Sequence, residues 1–485
     1  MRTIAIIGAG FSGTATAVHL LKCARAPTRI VLLDDRPDLA AGLAYSADQQ
    51  VCLLNVPAGQ MSLDASRPGE LVDFAARQGM RTDAQDFASR ALYGRYLAAS
   101  LQDAIESSGM VCTRIWGRAK GLARLHNRAY FWRIDLDDGH ALFADEVVLA
   151  LGNPPPARVA ALEPIPGTRY VRNPWDSWPQ EKPEKAPRRV LLLGTGLTMA
   201  DVALRLALRG PEPPEILALS RHGRLPQPQT VFNRTALRGD AIATIRAAGG
   251  SVRELVRVAR ALAGEVTDAG GDWREVINTM RKVAPELWSA LDIAERRRFL
   301  QHVRPVWDVH RHRLPPAAAE ELQRLRGEGR LTVLAGSLES TRVTRSGIEV
   351  VWRPRGSRQR ERCVVGRIFN CTGPDYRPAR SDDALVRSLL ASGLIAADRL
   401  ELGIRVTADN EVVGADGRIV RGLHYIGPWL RARDWEATAV PELREHARRL
   451  AERLAGPTAG DQSRQQPEFD RRRLAEEIAA GPAPY

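Results

Sequence analysis

The 485-residue chain is poor in lysine, in paired cysteines and in long apolar runs, and each shortage narrows what it can be. Lysine supplies five of the 70 basic residues, at Lys22, Lys120, Lys182, Lys185 and Lys282. The formal charge of +13 is therefore almost wholly arginine, spread along the chain, with short runs at Arg296-Arg297-Arg298 and Arg471-Arg472-Arg473. A nucleic-acid surface would gather such charge into one stripe interleaved with aromatics. No nucleic-acid partner is expected; the positive field would instead draw anionic cofactors and substrates. The five cysteines (Cys23, Cys52, Cys112, Cys363 and Cys371) are odd in number and form no C-x-x-C pair. That argues against a disulfide framework, a zinc site and the dithiol relay of a disulfide reductase. No apolar run reaches the roughly 18 residues of a membrane span, and glycine interrupts the N-terminal apolar stretch too early for a signal peptide. The expectation is a cytoplasmic protein with no membrane partner and no metal. At about 150 residues per domain, the length suggests two or three domains.

What is present begins at once. Thr3 to Ile7 is a short apolar run suited to a strand buried on both faces. It leads into Gly8-Ala9-Gly10-Phe11-Ser12-Gly13, which fits G-x-G-x-x-G, then a helical stretch from Thr14 to Cys23 and a second strand, Arg29 to Leu33. Gly8 permits the tight turn, Gly10 lets backbone approach a pyrophosphate, and Gly13 lets helix and strand pack closely. The helix start, with Phe11 and Ser12, offers N–H groups to phosphates. Asp34, 21 residues beyond Gly13 and followed by Asp35, stands where a carboxylate accepts ribose hydroxyls. This unit predicts FAD binding.

The device recurs. Arg189 to Leu193 reads as a strand, followed by Gly194-Thr195-Gly196-Leu197-Thr198-Met199, a helix through Leu204, and a strand from Ile216 to Leu219. Gly10 to Asp34 spans 24 residues, and so does Gly196 to Ser220. Where the first unit has a carboxylate, the second has Ser220 followed by Arg221. Loss of the acid removes repulsion against a 2′-phosphate, and serine with arginine supplies a hydrogen bond and a counter-charge. The second unit therefore predicts NADPH, with Gly194, Gly196, Thr198, Ser220 and Arg221 as its contacts. Met199 in place of the third glycine implies a helix standing slightly farther from its strand. Two apolar segments, Val147 to Pro154 and Ile368 to Pro374, end in Gly152 and Gly373; they look like the crossover segments by which a chain leaves one nucleotide domain and returns to it.

In these motifs the chain resembles a bacterial family of FAD/NAD(P)-binding proteins, distantly similar to class B and N-hydroxylating flavin monooxygenases. The resemblance covers roughly residues 1–450. It rests on Gly42-Leu43-Ala44-Tyr45-Ser46 with Leu53-Leu54-Asn55-Val56-Pro57-Ala58, and on Tyr93-Gly94-Arg95-Tyr96-Leu97. It rests also on Asn173-Pro174-Trp175-Asp176, on Arg311-His312-Arg313-Leu314-Pro315-Pro316, and on Trp435 through Arg444. It implies an α/β fold of two Rossmann-like domains, with Tyr45 and Asn55 among the cofactor contacts. One departure counts against ketone oxygenation: the window of the class B fingerprint reads Ile165-x-Gly167-x-x-x-Val171-x-x-x-Trp175-Asp176, with valine where that fingerprint has histidine.

The expected organisation is an FAD domain over residues 1–178, completed by 371–456, around an NADP domain over 179–370. Residues 240–327 are a helical insertion, with apolar spacing at Val252, Leu255, Leu262 and again at Val276, Met280, Leu287. Residues 457–485 read as a flexible tail. Trp307 to Leu314 reads as an Arg/His-rich loop able to clamp an anionic substrate or nucleotide phosphates. Gly427 ends the last FAD-domain strand; beyond it, Trp435 and Glu436 are the catalytic candidates, the first beside the flavin, the second for proton handling. The motif arithmetic yields an FAD- and NADPH-using oxidoreductase. The resemblance implies oxygenation of a small amine, thioether or similar nucleophile through a flavin C4a-adduct, with molecular oxygen as co-substrate. An NADPH-dependent reductase or oxidase without oxygen transfer, and a non-catalytic flavin-binding redox sensor, remain open beside it.

Overall fold

The computed structural model describes all residues except 25–26, 39, 47–49, 126–131, 177, 179–186, 209–212, 231–235 and 457–485; the expected tail lies outside the described residues. Two sheets dominate. The first has six strands in the spatial order Glu411–Val413, Ile419–Tyr425, Glu146–Leu149, Arg2–Ile7, Thr28–Asp34, Val111–Trp116. All neighbours are parallel except the outer Glu411–Val413 strand. Helices Phe11–Cys23, Arg90–Ser108 and Val440–Ala455 cover one face, burying Leu20, Leu97 and Ala447 against Ile4 and Ile6. A three-stranded antiparallel sheet (Ala119–Arg124, Trp132–Leu136, Ala141–Ala144) and helix Ala384–Ala391 cover the other. Burial on both faces is why Ile4 to Ile7 and Ile30 to Leu33 read as unbroken apolar runs rather than alternating ones.

The second sheet has seven strands, ordered Glu361–Val365, Gly347–Pro354, Leu331–Thr344, Glu215–Ser220, Arg189–Leu193, Arg367–Asn370, Tyr170–Val171. Its inner strands are parallel, and the hairpin of Leu331–Thr344 with Gly347–Pro354 extends it antiparallel. Helices Leu197–Ala207 and Pro316–Gly327 pack on one face through Met199, Ala203 and Leu322. This sheet begins earlier in the chain than expected. Tyr170–Val171 pairs with Ile368 and Phe369, and Leu162 and Ile165 sit in the second sheet's core. The expected boundary at 178 is therefore too late; a two-residue strand between prolines carries too little periodicity to be seen in sequence.

Residues 241–311 form a run of helices with their own core, among them Val252–Asp268, Arg274–Lys282 and Ala284–Ala290. That core also takes Leu402, Ala432 and Trp435 from the return segment, so it is built at a seam rather than alone. The stretch 307–314, expected as a loop, is mostly helix: Arg304–Arg311 follows a π-helical turn at Phe299–Val303. The difference lies at Pro305. Proline lacks an N–H and breaks a helix interior, but here it lies in the first turn beyond a wider turn, where that donor is not needed.

Candidate active site

Both glycine loops are held by the same two hydrogen bonds. Gly8 N–H donates to the Leu33 carbonyl (2.8 Å) and Gly194 N–H to the Leu219 carbonyl (2.7 Å). The crossover strands close on them alike: Ala150 N–H donates to Ile7 and Cys371 N–H to Leu193, both at 2.8 Å. Gly8 and Gly194 have φ of +99° and +111°, and a methyl group on either would stand 2.3 Å or 2.4 Å from the carbonyl oxygen of Ala150 or Cys371. No other residue fits there. The two crossovers run side by side, through a bridge between Pro156 and Pro374 and a bond from Asp375 N–H to the Pro155 carbonyl (3.1 Å). The two nucleotide loops are thus joined through one shared wall.

Gly13 touches its strand: a methyl group there would lie 1.9 Å from the Gly8 carbonyl oxygen. Gly10 faces Gly42, whose own methyl group would come within 2.9 Å of the Gly10 Cα, so the loop before Tyr45 needs glycine at position 42. Phe11 and Ser12 are buried at the helix start. Asp34 is already oriented, accepting from Ala9 N–H (2.5 Å) with one oxygen and from Arg36 N–H (2.8 Å) with the other. Each oxygen keeps a further lone pair for a ribose hydroxyl. Asp35 points away and is exposed, 3.9 Å from Arg118; the structure does not bring it to the loop. Tyr45 packs edge-on to Tyr93 at 4.8 Å. Asn55 lines a small cavity with Arg90, Leu197, Asp201 and Leu314, between the two nucleotide units.

In the second unit a hydroxyl replaces the carboxylate. Ser220 Oγ lies 2.8 Å from Thr195 Oγ1 and accepts from Gly223 N–H (3.0 Å), so strand end and loop are again tied together. Arg221 is exposed beside His222, and Arg224 and Arg355 complete a basic group. Burial lowers the His222 pKa, and Arg355, Arg224 and Arg221 lower it further. Of these, Arg224 follows Arg221 closely enough to have been noticed in sequence, whereas Arg355 arrives from the distant hairpin. Thr198 is half-buried in the helix start, and Met199 is fully buried in the second unit's core.

Across the seam, Arg90 forms an ion pair with Asp201 (3.2 Å) and stacks over Trp175 (5.2 Å). Val171, at the histidine position of the class B fingerprint, is a core strand residue. Near the crossovers, Tyr376 Oη donates to Asn153 Oδ1 (3.4 Å), next to Gly152, and Arg431 lies over the Tyr376 ring (5.3 Å). Gly152 and Gly373 have φ of +68° and +81°, and Gly427 has φ of +142° close to the Tyr425 hydroxyl. These residues converge on one wall.

The two catalytic candidates do not behave as expected. Trp435 is buried in the helical insertion's core, against Trp288 (4.9 Å) and Phe299 (5.0 Å), with Arg431 over its ring at 3.7 Å. Glu436 is 3% exposed, accepting from Arg311 Nε (2.7 Å) and Trp307 Nε1 (3.1 Å). Burial would raise its pKa, but Arg311, His312, Arg281 and the indole outweigh it and hold the carboxyl below its ordinary value. A carboxylate fixed in its ionised form is a poor proton carrier. In the structure it stands as the counter-ion of the buried Arg311.

Residues 5–154 match a family model described as FAD-NAD(P)-binding. No curated protein sequence matches the chain. Among solved structures, it is similar to ornithine hydroxylase from Pseudomonas aeruginosa, at 15% identity over 94% of this chain and 98% of that one, with a TM-score of 0.62. It is similar also to L-lysine 6-monooxygenase from Pseudomonas syringae (17%, 94% and 99%, TM-score 0.62). A third is the ornithine N-hydroxylase of Kutzneria sp. 744, in a complex named with reduced FAD, NADP+ and L-ornithine (14%, 94% and 100%, TM-score 0.64). The fold is that of these two-unit α/β proteins.

Proposed function

We propose that the chain is an FAD-dependent, NADPH-using oxidoreductase of the monooxygenase kind. FAD would be held at Gly8, Gly10, Gly13 and Asp34, and NADPH at Gly194, Gly196, Thr198, Ser220 and Arg221. The observation that carries this is the pair of glycine loops built alike against one shared wall of crossover segments. The residues fit both groups. The Gly10–Gly42 approach keeps side chains away from the first loop, and the second loop's Gly196 opens on unoccupied space.

Bound together, a flavin and a reduced nicotinamide supply two-electron transfer and, with oxygen, oxygenation. The protein's part is positional. Asp34, fixed by two backbone N–H groups, would orient ribose hydroxyls; a rigid acceptor loses little entropy on binding. Arg221, Arg224 and Arg355 would give a 2′-phosphate its counter-charge. Gly152 and Gly373 leave that wall without side chains and open on unoccupied space, and would leave room there for the cofactor rings. The helical insertion, packed on the return segment through Trp435, would keep water from that wall. Oxygenation of a small amine or thioether is supported by the fold likeness to the N-hydroxylating enzymes; valine at position 171 speaks against ketone oxygenation.

The test is anaerobic reduction of the bound flavin with NADPH and NADH in turn, followed by oxygen and a panel of amines and thioethers. The expected result is faster bleaching by NADPH and an oxygenated product. Complete conversion of oxygen to hydrogen peroxide with every substrate would leave a reductase or oxidase; no bleaching by either nucleotide would leave a flavin-binding sensor.

A further inference from the structure

Four arginines gather where the helical insertion meets the second sheet and the return segment: Arg274, Arg281, Arg311 and Arg313. Three have a carboxylate of their own. Arg274 pairs with Asp272 (2.8 Å), Arg281 binds Glu442 through two bonds of 2.6 and 2.7 Å, and Arg311 pairs with Glu436 (2.7 Å). Arg313 has no carboxylate within ion-pair distance among the described residues. Its Nη2 donates to the neutral Asn278 Oδ1 (2.7 Å), while Nε and Nη1 meet no acceptor. Nor does Arg311 Nη2. Yet Arg313 is as buried as its neighbours, at 6% exposure. A buried guanidinium without a counter-charge costs several kcal/mol, and an unmet buried donor adds to that. Burial, then Arg311, Arg274 and Arg281 beside it, push the Arg313 pKa down to about 10. The surplus charge is a real feature of the site.

We propose that Arg313, with the unpartnered Nη2 of Arg311, is a binding site for an oxyanion carried by the substrate, a carboxylate, so that the molecule oxidised is an anionic one. The guanidinium fork matches a carboxylate in two parallel N–H···O bonds. Its place in the chain favours the active site over a remote surface. Leu314 and Pro315, the next two residues, line the cavity that also holds Asn55 from the first unit and Leu197 from the second nucleotide loop. The nucleotide's own phosphate has a separate basic group in Arg221, Arg224 and Arg355. The assignment of the ligand as substrate rests on the oxidoreductase reading above.

The test uses the full-length flavin-loaded protein, with glutarate and inorganic phosphate as probes of thermal unfolding and NADPH titrated anaerobically. Saturating glutarate should raise Tm by about 2 °C in the parent protein and leave Arg313→Gln unmoved. NADPH affinity in that variant should stay within about twofold. Asn278→Asp gives Arg313 an internal carboxylate; it should raise Tm without ligand and abolish the response to glutarate. An equal response in the parent and both variants, or none in the parent, overturns the site. Stabilisation by phosphate alone, or a loss of NADPH affinity of about tenfold or more in Arg313→Gln, gives the oxyanion to the cofactor and overturns the assignment to substrate. Because unfolding is read without turnover, a protein that proves to be an oxidase fails the functional reading while this one stands.

Discussion

The two nucleotide units share a backbone and differ in what they offer a sugar. Each glycine loop is closed by a strand-end carbonyl at 2.7–2.8 Å and by a crossover carbonyl that tolerates no side chain. Each also has a cross-link from strand end to loop, but Asp34 reaches the Ala9 backbone whereas Ser220 reaches the Thr195 hydroxyl. The packing of the helix differs too: Gly13 lies against Gly8, and its counterpart Met199 is fully buried. The backbone geometry is thus common to both, and in the proposed reading the side chain at the strand end would decide which dinucleotide each takes. The first strand end carries carboxylates, Asp34 and Asp35, with Arg36 and Arg118 near them, whereas the second carries a hydroxyl among Arg221, Arg224 and Arg355.

That comparison can be broken in four ways. The largest effect belongs to the shared geometry. Gly8→Val and Gly194→Val should each fail to give a soluble, flavin-loaded protein, because the side chain meets backbone in a left-handed conformation; expression and the flavin spectrum report it. Normal flavin content in Gly194→Val would show that the second loop is not bound to the first through the wall. Next is the seam. Glu436→Gln leaves Arg311 buried without its carboxylate and should cost about 3–5 kcal/mol in urea unfolding. As the folded Glu436 pKa is depressed, its stabilisation is complete above the ordinary carboxylate range and is lost as pH falls through the lower, folded value. A turnover profile that loses one pH limb in Glu436→Gln, with stability unchanged, would restore Glu436 as a proton carrier.

Smaller is the sugar switch. Ser220→Asp should weaken NADPH by about tenfold or more while sparing NADH, because a carboxylate then faces the 2′-phosphate; a ratio of the two dissociation constants that does not move removes Ser220 from the nucleotide site. Smallest is His312, whose pKa burial and Arg311 bring down to about 4. The unfolded chain binds that proton first, so between about pH 4 and pH 6.5 stability rises with pH. His312→Gln should lessen the rise of Tm across that window, to which His446, likewise brought down to about 4, also contributes; an unchanged slope would place the titration elsewhere.

Much of the fold was legible because its signals are local. Ile4 to Leu33 carries strand, turn, helix and strand within one short stretch, and the 24-residue repeat of the spacing announces the second unit. The seam was not legible, since its contacts are long-range. Arg355 joins His222 from a hairpin, Arg90 joins Asp201 across two domains, and Glu436 meets Trp307 and Arg311. Sequence offered Trp435 and Glu436 as a bare pair after a strand end; the packing of the one in the helical core and the pairing of the other with Arg311 appear only in the fold. The helix at Arg304–Arg311 was hidden by Pro305, whose effect depends on the backbone before it.

That backbone has a consequence for chain length. Trp307 and Arg311 stand one helical turn apart and both reach the same carboxylate. Adding or removing a single residue in the wide turn at Phe299–Val303 would rotate everything after it by about 100°, carrying both donors off Glu436. Phe299, Leu300 and Val303 pack against the helical core and should be sensitive in kind, but the exposed Gln301 and His302 should accept substitution where an insertion or deletion beside them would break the seam.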